Sequence, residues 1–116
     1  MALNIPGVDE SIFNDLFEGD EELYISILRI FMDKAPNVLS KIAEVSEEKL
    51  ADYANIIHGL KGTCANICAE DARKAALKLE TMSRNGDLQG VLADNGPFIK
   101  YMEELMGNLQ NWLKNR

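Results

Sequence analysis

The amino-acid sequence predicts an all-α fold, an antiparallel four-helix bundle with a short additional N-terminal helix. Apolar residues recur at three- and four-residue spacing almost throughout the 116 residues. No stretch alternates with the period of a strand, and acidic or hydroxyl residues stand where helices would begin. The 47% hydrophobic content suffices for one core, so residues 1–116 read as a single domain without internal repeats.

A first helix over residues 9–17 places Ile12, Phe13, Leu16 and Phe17 on its apolar side, and the EGD that follows breaks it. Asp20 suits the N-cap of a second helix, with Glu21 and Glu22 at the positive end of its dipole. The apolar series Leu23, Ile27, Ile30, Phe31, Ala35, Val38, Leu39, Ile42, Val45 keeps its period through Pro36. It reads as one helix over 20–45 kinked at the proline, although two shorter helices fit the same residues. Ser46 is the expected cap of a third helix over 47–67, which turns Leu50, Tyr53, Ala54, Ile57, Leu60, Cys64 and Ile67 toward the core. A fourth helix over 70–85 buries Ala72, Ala75, Ala76, Leu79 and Met82 and stops at Asn85-Gly86. The polar DLQGVLADNG reads as a connector, and Pro97 as the opening of a last helix over 97–114. Its stripe is Phe98, Tyr101, Met102, Leu105, Leu109, Trp112 and Leu113. Four amphipathic helices on short links pack most simply as an antiparallel bundle, with the first helix across one end.

The net charge of -7 opposes binding to a nucleic-acid backbone, which calls for clustered Lys and Arg. No run of 18 apolar residues suits membrane insertion, and MALNIPGVDE lacks the basic and apolar regions of a signal peptide, so the expected location is cytoplasmic. Cys64 and Cys68 share a helix face and are poorly placed for an unstrained disulfide; they read as reduced, buried, small apolar groups. Neither has the additional ligands that a metal site needs.

His58 is the chain's one histidine, inside IIHGLKGTCANI, where Gly59 and Gly62 each weaken a helix by roughly 1 kcal/mol relative to alanine. At about 100° per residue it points a quarter turn from the core direction near Ile57. Ala51, Ala54, Gly62 and Ala65 surround it on that surface, all small. Such an imidazole lets another protein's backbone approach closely, and Lys61 one turn away could neutralise an anion carried on the ring. From spacing alone, an ordinary boundary histidine, a solvated lysine and packing glycines are the commoner explanation. A di-iron bundle would need glutamate where Asn55 stands, and no H-E-x-x-H, P-loop or GxSxG motif is present.

HGLKGTCANICAEDARKAALKLE, residues 58–80, resembles the signature of histidine-containing phosphotransfer (HPt) domains, His-x-Leu-Lys-Gly followed by small residues and a second helix. Upstream, FEGDEELYISILRIFMDKAPNVLSKI is similar to the same family in its Gly-Asp-Glu start and its proline within the second helix. The resemblance implies a phosphorelay intermediate that takes a phosphoryl group from a receiver domain's aspartyl phosphate and passes it to another receiver. It implies His58 as acceptor at Nε2, Lys61 as contact to the phosphoryl oxygens, Gly62 as the residue leaving room for them, and Glu80 as the group orienting the imidazole. Implied partners are response-regulator receivers and a hybrid sensor histidine kinase; the chain itself would be a monomeric carrier without kinase activity or cofactor, Mg²⁺ belonging to the receiver. A kinase dimerisation domain fits less well, since an acidic residue typically follows its histidine and Gly59 follows here. Cys68 departs from the family, which usually has glycine there to help the chain leave the histidine helix.

Charge adds to this. Residues 58–84 hold five cations against three anions, a local +2 that leaves -9 for the rest. Arg73, Leu77, Glu80 and Arg84 share one stripe of the fourth helix that could meet a receiver's acidic rim, or could be a solvated face. Ile12, Phe13, Leu16 and Phe17 exceed what one face needs, so some either contribute apolar docking surface or simply cap the bundle. The competing reading from another class is a non-catalytic helical interaction module.

Overall fold

The computed structural model describes residues 3–116, and among them every regular element is helical. The helices are α1 (Glu10–Phe17), α2 (Glu21–Lys41), α3 (Leu50–Asn66), α4 (Glu70–Arg84) and α5 (Leu88–Lys114). Links of three residues between α3 and α4, and between α4 and α5, force reversals, so successive helices run antiparallel. The contacts close a ring in which α2 touches α3 and α5, and α4 touches α3 and α5.

Asp9 caps α1 by accepting from the backbone N–H of Ser11 at 3.0 Å and Ile12 at 3.2 Å. The helix ends where Glu18 and Gly19 take positive φ, and Asp20 then caps α2 through the Leu23 N–H at 3.0 Å. Phe13 and Phe17 close one end of the bundle: both rings meet Tyr24 edge-on with centroids 5.1 Å away, and Tyr24 meets Trp112 at 6.1 Å.

Three boundaries differ from those the sequence suggests. α2 ends at Lys41, not near 45, because Ile42 is fully buried and its carbonyl accepts from Asn95 Nδ2 at 2.8 Å, leaving the helical path. Ser46 caps only a turn, accepting from the Lys49 N–H at 3.3 Å, and α3 begins at Leu50 rather than 47. The expected connector DLQGVLADNG is helical, so Pro97 lies inside α5 instead of opening it. Asp87 caps this longer helix through the Gly90 N–H at 3.0 Å, and Val91 and Asn95 are buried. Gly90 leaves these side chains their places, since a Cβ would fall 2.3 Å from Asp87 Oδ2 and 2.7 Å from Met82 Sδ and both would have to shift.

The buried face of α2 also differs from the expected series. Tyr24, Leu28, Phe31, Ala35 and Leu39 are buried, whereas Leu23 and Ile30 are 49% and 57% exposed. Two apolar stripes overlap on this helix, and only one faces the core.

The turn from α3 to α4 is pinned from three sides. Tyr24 donates to the Ile67 carbonyl at 2.6 Å, the Asp9 N–H to the Cys68 carbonyl at 2.8 Å, and the Ala69 N–H to the Cys64 carbonyl at 2.9 Å. Cys68 has φ 62°, the left-handed conformation that glycine adopts without penalty and that costs other residues roughly 1–2 kcal/mol. Burial of its side chain offsets that cost. Cys64 and Cys68 are both free and buried, and burial raises their thiols to about 12 and about 11.

Candidate functional site

α3 and α4 make the most extensive helix pair, and along their seam four charged or titratable side chains converge. His58 sits on the outer flank of α3 with its side chain 62% exposed. Glu80, at the edge of the buried face of α4, has its side chain only 9% exposed. Its two oxygens receive three donors. Lys61 Nζ donates to Oε1 at 2.7 Å, His58 Nδ1 lies 2.9 Å from Oε2, and Arg84 Nε donates to Oε2 at 3.1 Å.

A buried carboxyl resists ionisation, yet here the opposite holds. The Lys61 hydrogen bond, with those of Arg84 and His58, lowers Glu80 to about 2 against the opposing effect of burial. An ionised carboxylate can only accept, so the contact with His58 requires the proton on Nδ1. Nε2 is left as the nitrogen that can present a lone pair, and it makes no hydrogen bond among the described residues. The ring is thus held at one nitrogen and available at the other.

The approach to Nε2 is open. A Cβ at Gly62 or Gly59 would meet no atom within 4 Å. Ala51 is exposed and Ala65 half-buried beside the histidine, but Ala54 is buried and belongs to the core rather than to a partner surface. On the other flank of α3 a groove of about 590 Å³ runs along α2, lined by Ile27, Ile30, Phe31, Ile56 and Gly59, with Lys34 and Lys41 along it. Spacing does not reveal this groove, because Ile27 and Ile30, which line it, keep the period of the expected core series. The signal was the second apolar stripe beside Tyr24 and Leu28.

The remaining candidates divide. Arg84 joins the Glu80 cluster instead of standing free on the α4 rim. Arg73 is held by Glu70 through bonds of 2.9 and 2.6 Å, and Leu77 is 41% exposed. On α1, Phe13 and Phe17 are buried in the aromatic end cap, so Phe13 is not part of an exposed patch. Ile12 is half-buried and Leu16 is 61% exposed. No helix among the described residues is long and apolar enough to cross a membrane.

A protein-family model described as Hpt domain matches residues 26–112, a span that includes all four members of the Glu80 cluster. No curated protein and no solved structure matches the chain.

Proposed function

This chain belongs to the Hpt domain family, and on that premise we propose that His58 takes a phosphoryl group from the aspartyl phosphate of one receiver domain and gives it to the aspartate of another. Hpt domains act in two-component phosphorelays with receivers and histidine kinases, as carriers rather than kinases. One observation carries the residue-level reading: Nδ1 of the single histidine is engaged by an ionised carboxylate at 2.9 Å while the ring remains 62% exposed. That arrangement selects the tautomer whose Nε2 lone pair faces outward. Neutral imidazole is a good nucleophile near pH 7.

In this reading Nε2 attacks phosphorus in line with the bond to the donor aspartate, and the electron pair of that bond returns to the carboxylate. Lys61 lies one turn from His58 and shifts from Glu80 Oε1 toward the phosphoryl oxygens. Gly62 leaves room for the oxygens and for the receiver's backbone, and Glu80 fixes the ring. The receiver contributes Mg²⁺ and the acceptor carboxylate, so alignment and charge stabilisation supply most of the catalysis. The chain itself contributes no cofactor.

Receiver docking spreads from His58 over Ala51 and Ala65 to the apolar groove with its Ile30, and Leu16 and Leu23 are outlying contacts. Leu77, with Arg73 further along α4, forms the opposite rim, while Arg84 stays with Glu80. We place the protein in the cytoplasm, as a monomer that meets a hybrid sensor histidine kinase and receivers in turn.

The test is transfer from a phosphorylated receiver to the wild type and to His58→Gln. Acid-labile, base-stable label on the wild type and none on the variant is expected. A folded wild type that takes no label from several receivers instead indicates a non-catalytic interaction module.

A further inference from the structure

Once a phosphoryl group occupies Nε2, the other ring nitrogen decides how easily that group leaves. In discharge the P–Nε2 bond breaks, its electron pair returns to Nε2, and phosphorus forms a bond to a carboxylate oxygen of the acceptor. If Nδ1 keeps its proton, the departing group is neutral imidazole. If Nδ1 has lost it, the departing group is an imidazolate anion, a far stronger base and a poorer leaving group. The phosphorylated ring therefore discharges well only in its protonated form.

We propose that Glu80 is a positioning residue for discharge, its carboxylate holding the proton on Nδ1 of phosphorylated His58 so that the ring departs as neutral imidazole. This rests on the phosphocarrier reading and goes beyond it, because orienting the free imidazole and retaining a proton on the phosphorylated one are separable. The geometry is in place: Oε2 lies 2.9 Å from Nδ1, and the carboxylate is 9% exposed and so weakly screened.

Charge reinforces the geometry. The charged groups around the ring are Glu80 and Arg84 from α4 and Lys61 from α3 itself, while α2 contributes Lys34 and Lys41 only to the neighbouring groove. With a neutral ring, Glu80, Lys61 and Arg84 leave a net +1. A dianionic phosphoryl group on a ring that keeps its Nδ1 proton brings the cluster to neutrality. Loss of that proton leaves an unbalanced -1. A carboxylate also discriminates in a way that an amide does not. Glutamine could accept from Nδ1–H through its oxygen or, with the amide turned over, donate to a deprotonated Nδ1. Glu80 can only accept, so it favours one protonation state.

His58 is the sole histidine, so ring-nitrogen NMR of histidine-labelled protein reports this site alone. The full chain and Glu80→Gln would be loaded with phosphoramidate or a phosphorylated receiver domain, and Nδ1 followed from pH 6 to 10. The wild type should keep the Nδ1 proton to a pH at least about one unit higher than the variant. Discharge to a receiver should fall about tenfold per pH unit in Glu80→Gln above its lower transition, while the wild type stays flat across that interval. Coincident titrations of the two loaded proteins overturn the inference and leave the carrier reading intact. Failure of both donors to label His58 overturns the carrier reading and the inference with it. Should Glu80→Gln not fold, the loaded wild type is compared with phosphorylated N-acetylhistidine, and equal titration overturns the inference.

Discussion

Two polar clusters tie helices together in this bundle, and they differ in what they leave unused. In the interior, Asn95 of α5 accepts from Tyr53 Oη at 2.7 Å and donates to the Ile42 carbonyl at 2.8 Å. The Asn95 side chain is buried, and the cluster joins α5 to α3 and to the end of α2 without any charge. On the α3–α4 seam, Glu80 gathers His58, Lys61 and Arg84, all of them charged or titratable. Glu80 is as buried as Asn95, but its partners reach solvent, with His58 62% and Arg84 49% exposed. A buried neutral cluster whose bonds are internal specifies packing. A buried anion holding exposed partners leaves atoms free for a second molecule, and that spare capacity marks the site.

The contrast can be broken first at Asn95. Asn95→Ala strands the Tyr53 hydroxyl and the Ile42 carbonyl in the core, and should lower unfolding free energy by about 2–4 kcal/mol in urea titration. Phosphotransfer by the folded fraction should be unchanged; a transfer defect at full folding would show that the interior cluster is not merely structural. Two glycines sharpen the same contrast. Gly90→Ala must displace both Asp87 and Met82, and because Asp87 caps α5 it should destabilise by about 1–2 kcal/mol. Gly62→Ala meets open space and should stabilise the free protein by about 0.5–1 kcal/mol. It should nevertheless slow transfer by about tenfold or more, because the added methyl group intrudes where the receiver's reacting groups must align. Unaltered transfer would remove Gly62 from the docking surface.

The smallest effect concerns acid. Glu80 is held at about 2 in the folded protein against an ordinary 4.5, so between those values the carboxyl group binds fewer protons folded than unfolded. The stabilisation it contributes is present above about pH 4.5 and is lost as pH falls toward about 2. The stability difference between wild type and Glu80→Gln, measured by denaturant midpoints, should therefore shrink steadily across that window. A constant difference would mean that the carboxylate's charge contributes nothing to folding.

Much of the helical arrangement was legible because helical periodicity and caps agree. Asp9 and Asp20 cap the helices they precede, and α4 runs between the acidic pair at its start and the Asn85-Gly86 at its end. Composition hides the start of α5, whereas period reveals it. Leu88, Val91, Asn95, Phe98, Met102, Leu105, Leu109 and Trp112 step by three and four without interruption through Pro97. An asparagine at one seam position and two nearby glycines disguised the register as a connector. At the site, His58, Lys61 and Gly62 lie within one helix, so their grouping follows from spacing; the pairing with Glu80 depends on how α4 docks, and the HPt resemblance supplied it. Arg84 was placed on the correct stripe of α4, but a stripe alone cannot say that its guanidinium turns inward to Glu80. The α2 groove was hidden for a related reason: two apolar stripes on one helix look alike until tertiary packing selects one.

The most direct test of the central claim is to locate the phosphoryl group itself. Protein with its single histidine labelled in the ring nitrogens is loaded by a phosphorylated receiver, and phosphorus–nitrogen coupling identifies the bonded atom. One phosphoryl group is expected, bonded to Nε2 of His58, with Nδ1 still protonated. A bond to Nδ1, or stable label on any other residue with the imidazole unmodified, would contradict it.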